Sequence, residues 1–133
     1  MRPDTGEILE SLDGLNIPVS ATKYGDRIAV ALQGDRSISL FNIQNGEGEI
    51  LADGFIAPTH VINYEEDLLV SDRSKGQIIR VNKEGAQEII VDGLDSPEGI
   101  AIKDNSMYSF ERNTGQIKKY QEGQITVIAE VMP

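Results

Sequence analysis

The 133-residue sequence contains no cysteine and no tryptophan, and it has a single histidine. Without cysteine the chain can form no disulfide and offers no thiolate nucleophile or metal ligand, so the redox compartment stays undetermined. Apolar runs are short, for example Ile89-Ile90-Val91, whereas a membrane-spanning helix needs about 20 consecutive apolar residues. The N-terminal residues lack the apolar core of a signal peptide, so the expected compartment is, by default, the cytoplasm.

Basic residues are also scarce, because 12 Lys and Arg stand against 22 Asp and Glu, for a net charge of −10. A surface this acidic repels phosphate backbones, and basic residues do not alternate with aromatic ones. Nucleic acid is therefore not an expected partner. Acidity of this kind keeps a sheet-rich protein soluble.

What the sequence does contain is an internal repeat of about 40 residues. Gly14, Gly54 and Gly93 each open a Gly-x-x-x-Pro segment, and these openings are 40 and 39 residues apart. A later isoleucine keeps the same spacing in all three repeats: Ile38, Ile78 and Ile117. Because the glycines and the isoleucines keep the same spacing, the sequence indicates three copies of one structural unit.

Each repeat reads as four short strands separated by turn residues. In the second repeat the predicted strands are Thr59–Asn63, Leu68–Asp72, Gln77–Val81 and Gln87–Val91. Val, Ile and Leu dominate them, and Asn, Asp and Gly mark the breaks, as tight hairpins require. Four-stranded antiparallel units of this length, repeated in tandem, are typical of β-propeller blades, whereas a sandwich or barrel needs no repeating sequence. We therefore predict an all-β propeller segment with blades at 14–53, 54–92 and 93–133.

The first thirteen residues predict one further strand. Residues 4–13 match residues 83–92, the outer strand of the second repeat, so residues 1–13 are expected to form the outer strand of a preceding blade. Three blades leave an apolar face uncovered at each end, which predicts association. Two partners satisfy this requirement: missing blades of a larger protein, or a second copy that closes a ring by two-fold symmetry.

Parts of the repeats resemble a known family. Pro97-Glu98-Gly99-Ile100-Ala101 is similar to the Pro-x-Gly-Ile-Ala segment that opens the innermost strand of an NHL-type blade. Residues 69–81 and 107–120 resemble that family's stretch across the second and third strands. The resemblance covers 54–129 well and 14–53 weakly. The same pattern occurs in gluconolactonase-like (SMP-30-type) six-bladed propellers, so it identifies the fold better than the activity.

The residues that follow each repeat proline are expected near the mouth of the central channel. Thr59, His60 and Glu98 are therefore the candidate ligand-binding residues, and His60 is the candidate general base. The residues alone identify no cofactor. The resemblance to lactonase-type propellers implies Ca²⁺ or Mg²⁺ at the mouth, held by oxygen ligands, with Glu98 as the candidate metal ligand.

An acid–arginine pair recurs at one repeat position, as Asp72-Arg73 and as Glu111-Arg112. A carboxylate there can accept N–H bonds from the loop backbone, and the arginine can pair between blades. Because the pair repeats, we predict a structural role for it.

Two functions remain open from the sequence. The first is a non-catalytic propeller module that binds a protein or small ligand on its loops, because no catalytic constellation is evident in these repeats. The alternative, which the family resemblance implies, is part of a divalent-metal-dependent lactonase, hydrolase or lyase.

Overall fold

The computed structural model describes residues 17–130, which form twelve strands in three separate sheets. The first sheet contains β1 (Pro18–Tyr24), β2 (Arg27–Leu32), β3 (Ser37–Asn42) and β4 (Gly48–Asp53). The second contains β5 (Pro58–Tyr64), β6 (Asp67–Asp72), β7 (Gln77–Val81) and β8 (Gln87–Val91). The third contains β9 (Pro97–Lys103), β10 (Ser106–Glu111), β11 (Gln116–Gln121) and β12 (Gln124–Glu130).

In every sheet the strands pair in sequence order and antiparallel to their neighbours, which makes each sheet a four-stranded meander. The predicted all-β class with three four-stranded blades is confirmed. The outer strand predicted within residues 1–13 lies outside the described residues. Among residues 17–130 no helix is long and apolar enough to cross a membrane.

The core lies between the sheets, because alternate residues of each strand face opposite neighbours. The cluster between the first and second blades is fully apolar, and its largest member is Phe55, which leads into β5. The second blade turns its other face to the third, where Leu69 and Ile78 pack against Ile100 and Met107. We call these two interfaces the first and second seams.

The backbone also joins the blades across each seam. The Leu94 N–H donates to the Gly76 carbonyl oxygen at 3.0 Å, and the Phe55 N–H donates to the Arg36 carbonyl oxygen at 3.4 Å. Gly76 and Arg36 occupy the same repeat position and have φ values of 68° and 56°. The left-handed backbone at this position therefore helps to join one blade to the next. Arg36 adopts this conformation although non-glycine residues rarely do.

The third blade has no neighbour on its outward face within residues 17–130. Tyr108 and Ile117 are only half-buried, whereas Leu69 and Ile78, their counterparts in the second blade, are 0% and 1% exposed. Phe110 on the same face is 38% exposed. This face therefore carries apolar side chains at positions that are buried in the second blade.

Replacing Gly76 by alanine should destabilise the protein strongly, because a Cβ there would overlap the Leu94 carbonyl oxygen across the second seam. Gly93→Ala is the matched control: its φ is also positive, but its Cβ would meet nothing within 4 Å. Left-handed strain alone should cost about 1 kcal/mol in both variants. The overlap should cost Gly76→Ala about 1–3 kcal/mol more in urea-unfolding experiments. Equal losses in the two variants would contradict this close approach of the blades.

Candidate functional site

The candidate residues lie at one end of the blades, which we call the loop face. It comprises residues 54–60, 72–76, 93–99 and 111–115, where inner strands begin and where the second and third strands are joined. Antiparallel pairing brings these segments together, because Pro58 is opposite Asp72 and Pro97 is opposite Glu111. The opposite end of the blades carries the tight turns at 25–26, 65–66 and 104–105.

Asp72 is fully buried and holds the segment that leads into its own blade. Its carboxylate accepts the Ile56 N–H at 2.8 Å, the Ala57 N–H at 3.0 Å and the Lys75 N–H at 3.3 Å. Three backbone donors satisfy a buried carboxylate without a counter-ion, since charge-assisted hydrogen bonds are the strong ones. Asp72 therefore fixes the start of β5 against the end of β6.

Glu111, at the same position in the third blade, is equally buried but differently satisfied. It accepts the Asp95 N–H at 2.7 Å and the Thr114 hydroxyl at 2.9 Å, and it pairs with the Lys118 ammonium at 2.8 Å. Burial alone would raise the pKa of the Glu111 carboxyl. The Asp95 N–H, Lys118 and Thr114 outweigh it and hold that pKa below its ordinary value.

His60 connects the inner strands of two blades. The Ile100 N–H donates to the His60 Nδ1 at 2.9 Å, and one seam earlier the Val61 N–H donates to the Ser20 hydroxyl oxygen at 3.1 Å. Since Ser20 and His60 share a repeat position, this is one recurring bond made by two side chains. Burial lowers the pKa of the His60 imidazole, which favours the neutral ring that this bond requires.

Thr59 is engaged in the second seam as well. Its hydroxyl lies 3.0 Å from the Ser71 hydroxyl and donates to the Pro97 carbonyl oxygen at 3.3 Å. The Ser71 hydroxyl donates in turn to the Glu98 carbonyl oxygen at 3.2 Å. These hydroxyls bind the start of β9 to the second blade.

Glu98 lies between two arginines from different blades. Its carboxylate oxygens are 3.8 Å from Arg73 Nη1 and 3.6 Å from Arg112 Nη1. Both arginines directly follow the buried acids Asp72 and Glu111, and so the backbone that these acids hold also positions the guanidinium groups. The structure thus brings Glu98 together with the arginines of both acid–arginine pairs.

The surroundings of Glu98, the candidate metal ligand, do not fit a divalent cation. Two guanidinium groups already compensate the Glu98 carboxylate, and a cation placed there would meet their repulsion. Asp72 and Glu111 face inward and are saturated by protein donors. Across residues 17–130 no three His, Cys, Asp or Glu side chains cluster as a metal site. We therefore derive no chemistry through a metal.

The sequence alone did not predict that Lys118 contributes to the site. A signal for Lys118 was present, because the third repeat carries lysine where the second has the buried Ile79, together with a longer acid at position 111. An isolated lysine on a core-facing position needs a counter-ion, and Glu111 is close in the paired strands.

Comparison with solved structures assigns the fold. The chain superposes on a nidogen/laminin complex structure with a TM-score of 0.74 at 14% identity, over 86% of this chain. It superposes on virginiamycin B lyase from Staphylococcus aureus, a catalytically inactive histidine-to-alanine variant with quinupristin, with a TM-score of 0.70 at 16% identity, over 91%. The computationally designed Ika4 protein gives a TM-score of 0.63 at 13% identity, over 86%. The chain has the β-propeller fold of these proteins.

The chain spans about half of the natural propellers it matches, 49% of the nidogen-complex chain and 43% of the lyase, and 71% of the designed chain. No protein-family model matches the sequence, and no curated protein matches it significantly. The comparisons therefore establish the β-propeller fold, with three blades in the described residues.

His60→Ala should remove the bond to the Ile100 N–H and cost about 1–2 kcal/mol of unfolding free energy, since that buried donor loses its acceptor. His60→Ser should recover part of the loss, as the Ser20 hydroxyl makes the same bond. Ser20→Ala is the control, because it deletes the equivalent bond without removing a titratable group.

Only the His60 variants should alter the pH dependence. Because the folded-state pKa lies below 6.5, the unfolded chain takes up its proton first, and stability contributed by His60 is lost as pH falls from 6.5 through the folded pKa. Urea unfolding at several pH values should show this slope in wild type and Ser20→Ala, and not in the His60 variants. The same slope in all proteins would contradict the assignment.

Proposed function

We propose that this chain is a non-catalytic β-propeller module that binds a carboxylate-bearing ligand or protein segment on its loop face. The observation that carries the proposal is the arrangement of Arg73 and Arg112 around Glu98. Two guanidinium groups flank one carboxylate there, on a protein whose net charge is −10, so Glu98 alone does not use up the donors of both arginines. Arg112 is 63% exposed and keeps most of its donors free for a partner.

The candidate catalytic groups support a binding role better than a reaction. His60 uses Nδ1 to bind the next inner strand, and Thr59 bridges the same seam. Asp72 and Glu111 are buried supports for the loops. The side chains that remain free to meet a ligand are those of the arginines, which recognise planar anions by paired hydrogen bonds.

The proposed module works within a closed ring. The outward face of the third blade repeats the apolar character of the buried second-blade face, and a neighbouring blade is the surface that fits it. That blade belongs either to a longer protein or to a second copy of this chain. We place the module with the NHL and gluconolactonase-like (SMP-30-type) propellers, on the motif at Pro97–Ala101 and its counterparts.

The alternative is part of a divalent-metal-dependent lactonase, hydrolase or lyase, with His60 and Glu98 at the mouth. Its specific support is the superposition on virginiamycin B lyase, whose histidine-to-alanine variant is catalytically inactive. For this function Glu98 would have to release both arginines, and further blades would have to supply the remaining oxygen ligands.

Titration with a hexaglutamate peptide tests the binding role. We expect the double variant Arg73→Gln, Arg112→Gln to weaken binding about tenfold or more, because charge-assisted hydrogen bonds to carboxylates are lost. Arg27→Gln is the control, since Arg27 pairs with Glu49 away from the loop face.

Two results would contradict the binding proposal. Equal peptide binding by the double variant and the Arg27→Gln control would contradict a loop-face site. Stoichiometric Ca²⁺ binding that is lost in Glu98→Gln would favour the metal-dependent enzyme instead.

A further inference from the structure

The two seams differ at the end of the blades opposite the loop face. In the first seam the Tyr24 hydroxyl donates to the Glu66 carbonyl oxygen at 2.9 Å, so it joins the first blade to a turn of the second. Gly85, in the turn between β7 and β8, approaches Leu51 so closely that a Cβ would overlap the Leu51 carbonyl oxygen. The first seam is closed by these two contacts.

The second seam lacks both contacts among residues 17–130. Tyr64 stands at the repeat position of Tyr24, but Arg80 replaces Leu40 beside it and places its guanidinium 5.0 Å from the centre of the Tyr64 ring. Asp67 and Glu65 hold that guanidinium at 2.7 and 3.0 Å, so Arg80 is fixed beside the Tyr64 ring. Gly123, in the shorter turn between β11 and β12, would place a Cβ with nothing within 4 Å.

The result is a cavity of about 440 Å³ between the second and third blades, which we call the seam groove. Its floor includes Ile90 and Met107, and Tyr64 and Tyr120 line it with aromatic surface. This volume is within the range of about 300–1,000 Å³ that small-molecule sites occupy. An apolar body about the size of an aromatic ring therefore fits the groove.

The charged groups of the groove favour a cation. Arg80 is already neutralised by Asp67 and Glu65. Asp104 and Glu122 also line the groove, and neither forms an ion pair within the described part of the chain. The Tyr120 ring adds to this preference, since tyrosine rings attract cations through their negative faces, whereas the Tyr64 ring already carries Arg80. A carboxylate-bearing ligand would meet repulsion here, in contrast to the loop face.

We propose that the seam groove is a second binding site, which takes a small amphiphilic cation: an aromatic or alkyl body with an amine or amidine group. The apolar body lies on Ile90, Met107 and the two tyrosine rings, and the cationic group faces Asp104 and Glu122. The site lies at the opposite end of the blades from the arginines of the loop face. Binding in the groove therefore does not depend on binding at the loop face.

Three probes of nearly equal shape test the charge preference: benzamidinium, benzamide and benzoate. Amide chemical shifts of the ¹⁵N-labelled chain, in the assembly it forms, report both affinity and place of binding. We expect saturable shifts at residues 104–107 and 120–123, with a benzamidinium Kd on the order of 1 mM or lower. Benzamide should bind about fivefold or more weakly, and benzoate more weakly still.

The double variant Asp104→Asn, Glu122→Gln should bring benzamidinium binding to the level of benzamide. Asparagine tolerates the left-handed backbone of residue 104, where φ is 53°. Glu84→Gln is the control, since Glu84 precedes Gly85 in the β7–β8 turn at the first seam as Glu122 precedes Gly123 in the β11–β12 turn, and it should leave all three affinities unchanged. Equal binding of the three probes, shifts outside the groove, or no saturable shift with benzamidinium would each overturn the proposal.

Discussion

The structure depends on face-to-face packing of sheets that are apolar on both sides. A four-stranded meander with Leu69 and Ile78 on one face and Val61 and Leu68 on the other cannot stay exposed on either side, because each buried aliphatic side chain contributes about 1.5–3 kcal/mol. Only the second blade has both faces covered by described neighbours. Phe55 and Leu94 reach forward into the seams, and their N–H groups complete the connection between blades.

The three blades share one backbone fold, but their buried side chains differ in chemistry at equivalent positions. At one pair of neighbouring positions, on the second and third strands of each blade, the three blades carry Leu32 with Ser39, Asp72 with Ile79, and Glu111 with Lys118. An apolar residue, a carboxylate saturated by backbone donors and a buried ion pair thus occupy equivalent places. Removing one partner of the Glu111–Lys118 ion pair would leave the other charge buried and unpaired. That loss costs more than the pair itself contributes to stability.

The repeat spacing and turn residues were enough to predict the strands, their antiparallel order and the blade architecture, because these depend on local periodicity. The repeated acids at 72 and 111 could be recognised for the same reason. The partners of Glu98 and the bond from the Ile100 N–H to His60 could not, since they depend on how closely one blade approaches the next. The seam groove could not be predicted either, since the placement of Arg80 over the Tyr64 ring and the open space beside Gly123 appear only in three dimensions.

No residue among 17–130 covers the outward face of the third blade, and we infer that another blade packs against it. Light scattering behind size exclusion on the purified chain, whose monomer mass is 14.6 kDa, tests this inference. We expect association, with a ring of two chains or larger assemblies and no stable monomer. A monodisperse monomer at working concentrations would contradict it, because the apolar face that contains Phe110 and Ile117 would then remain in water without a partner.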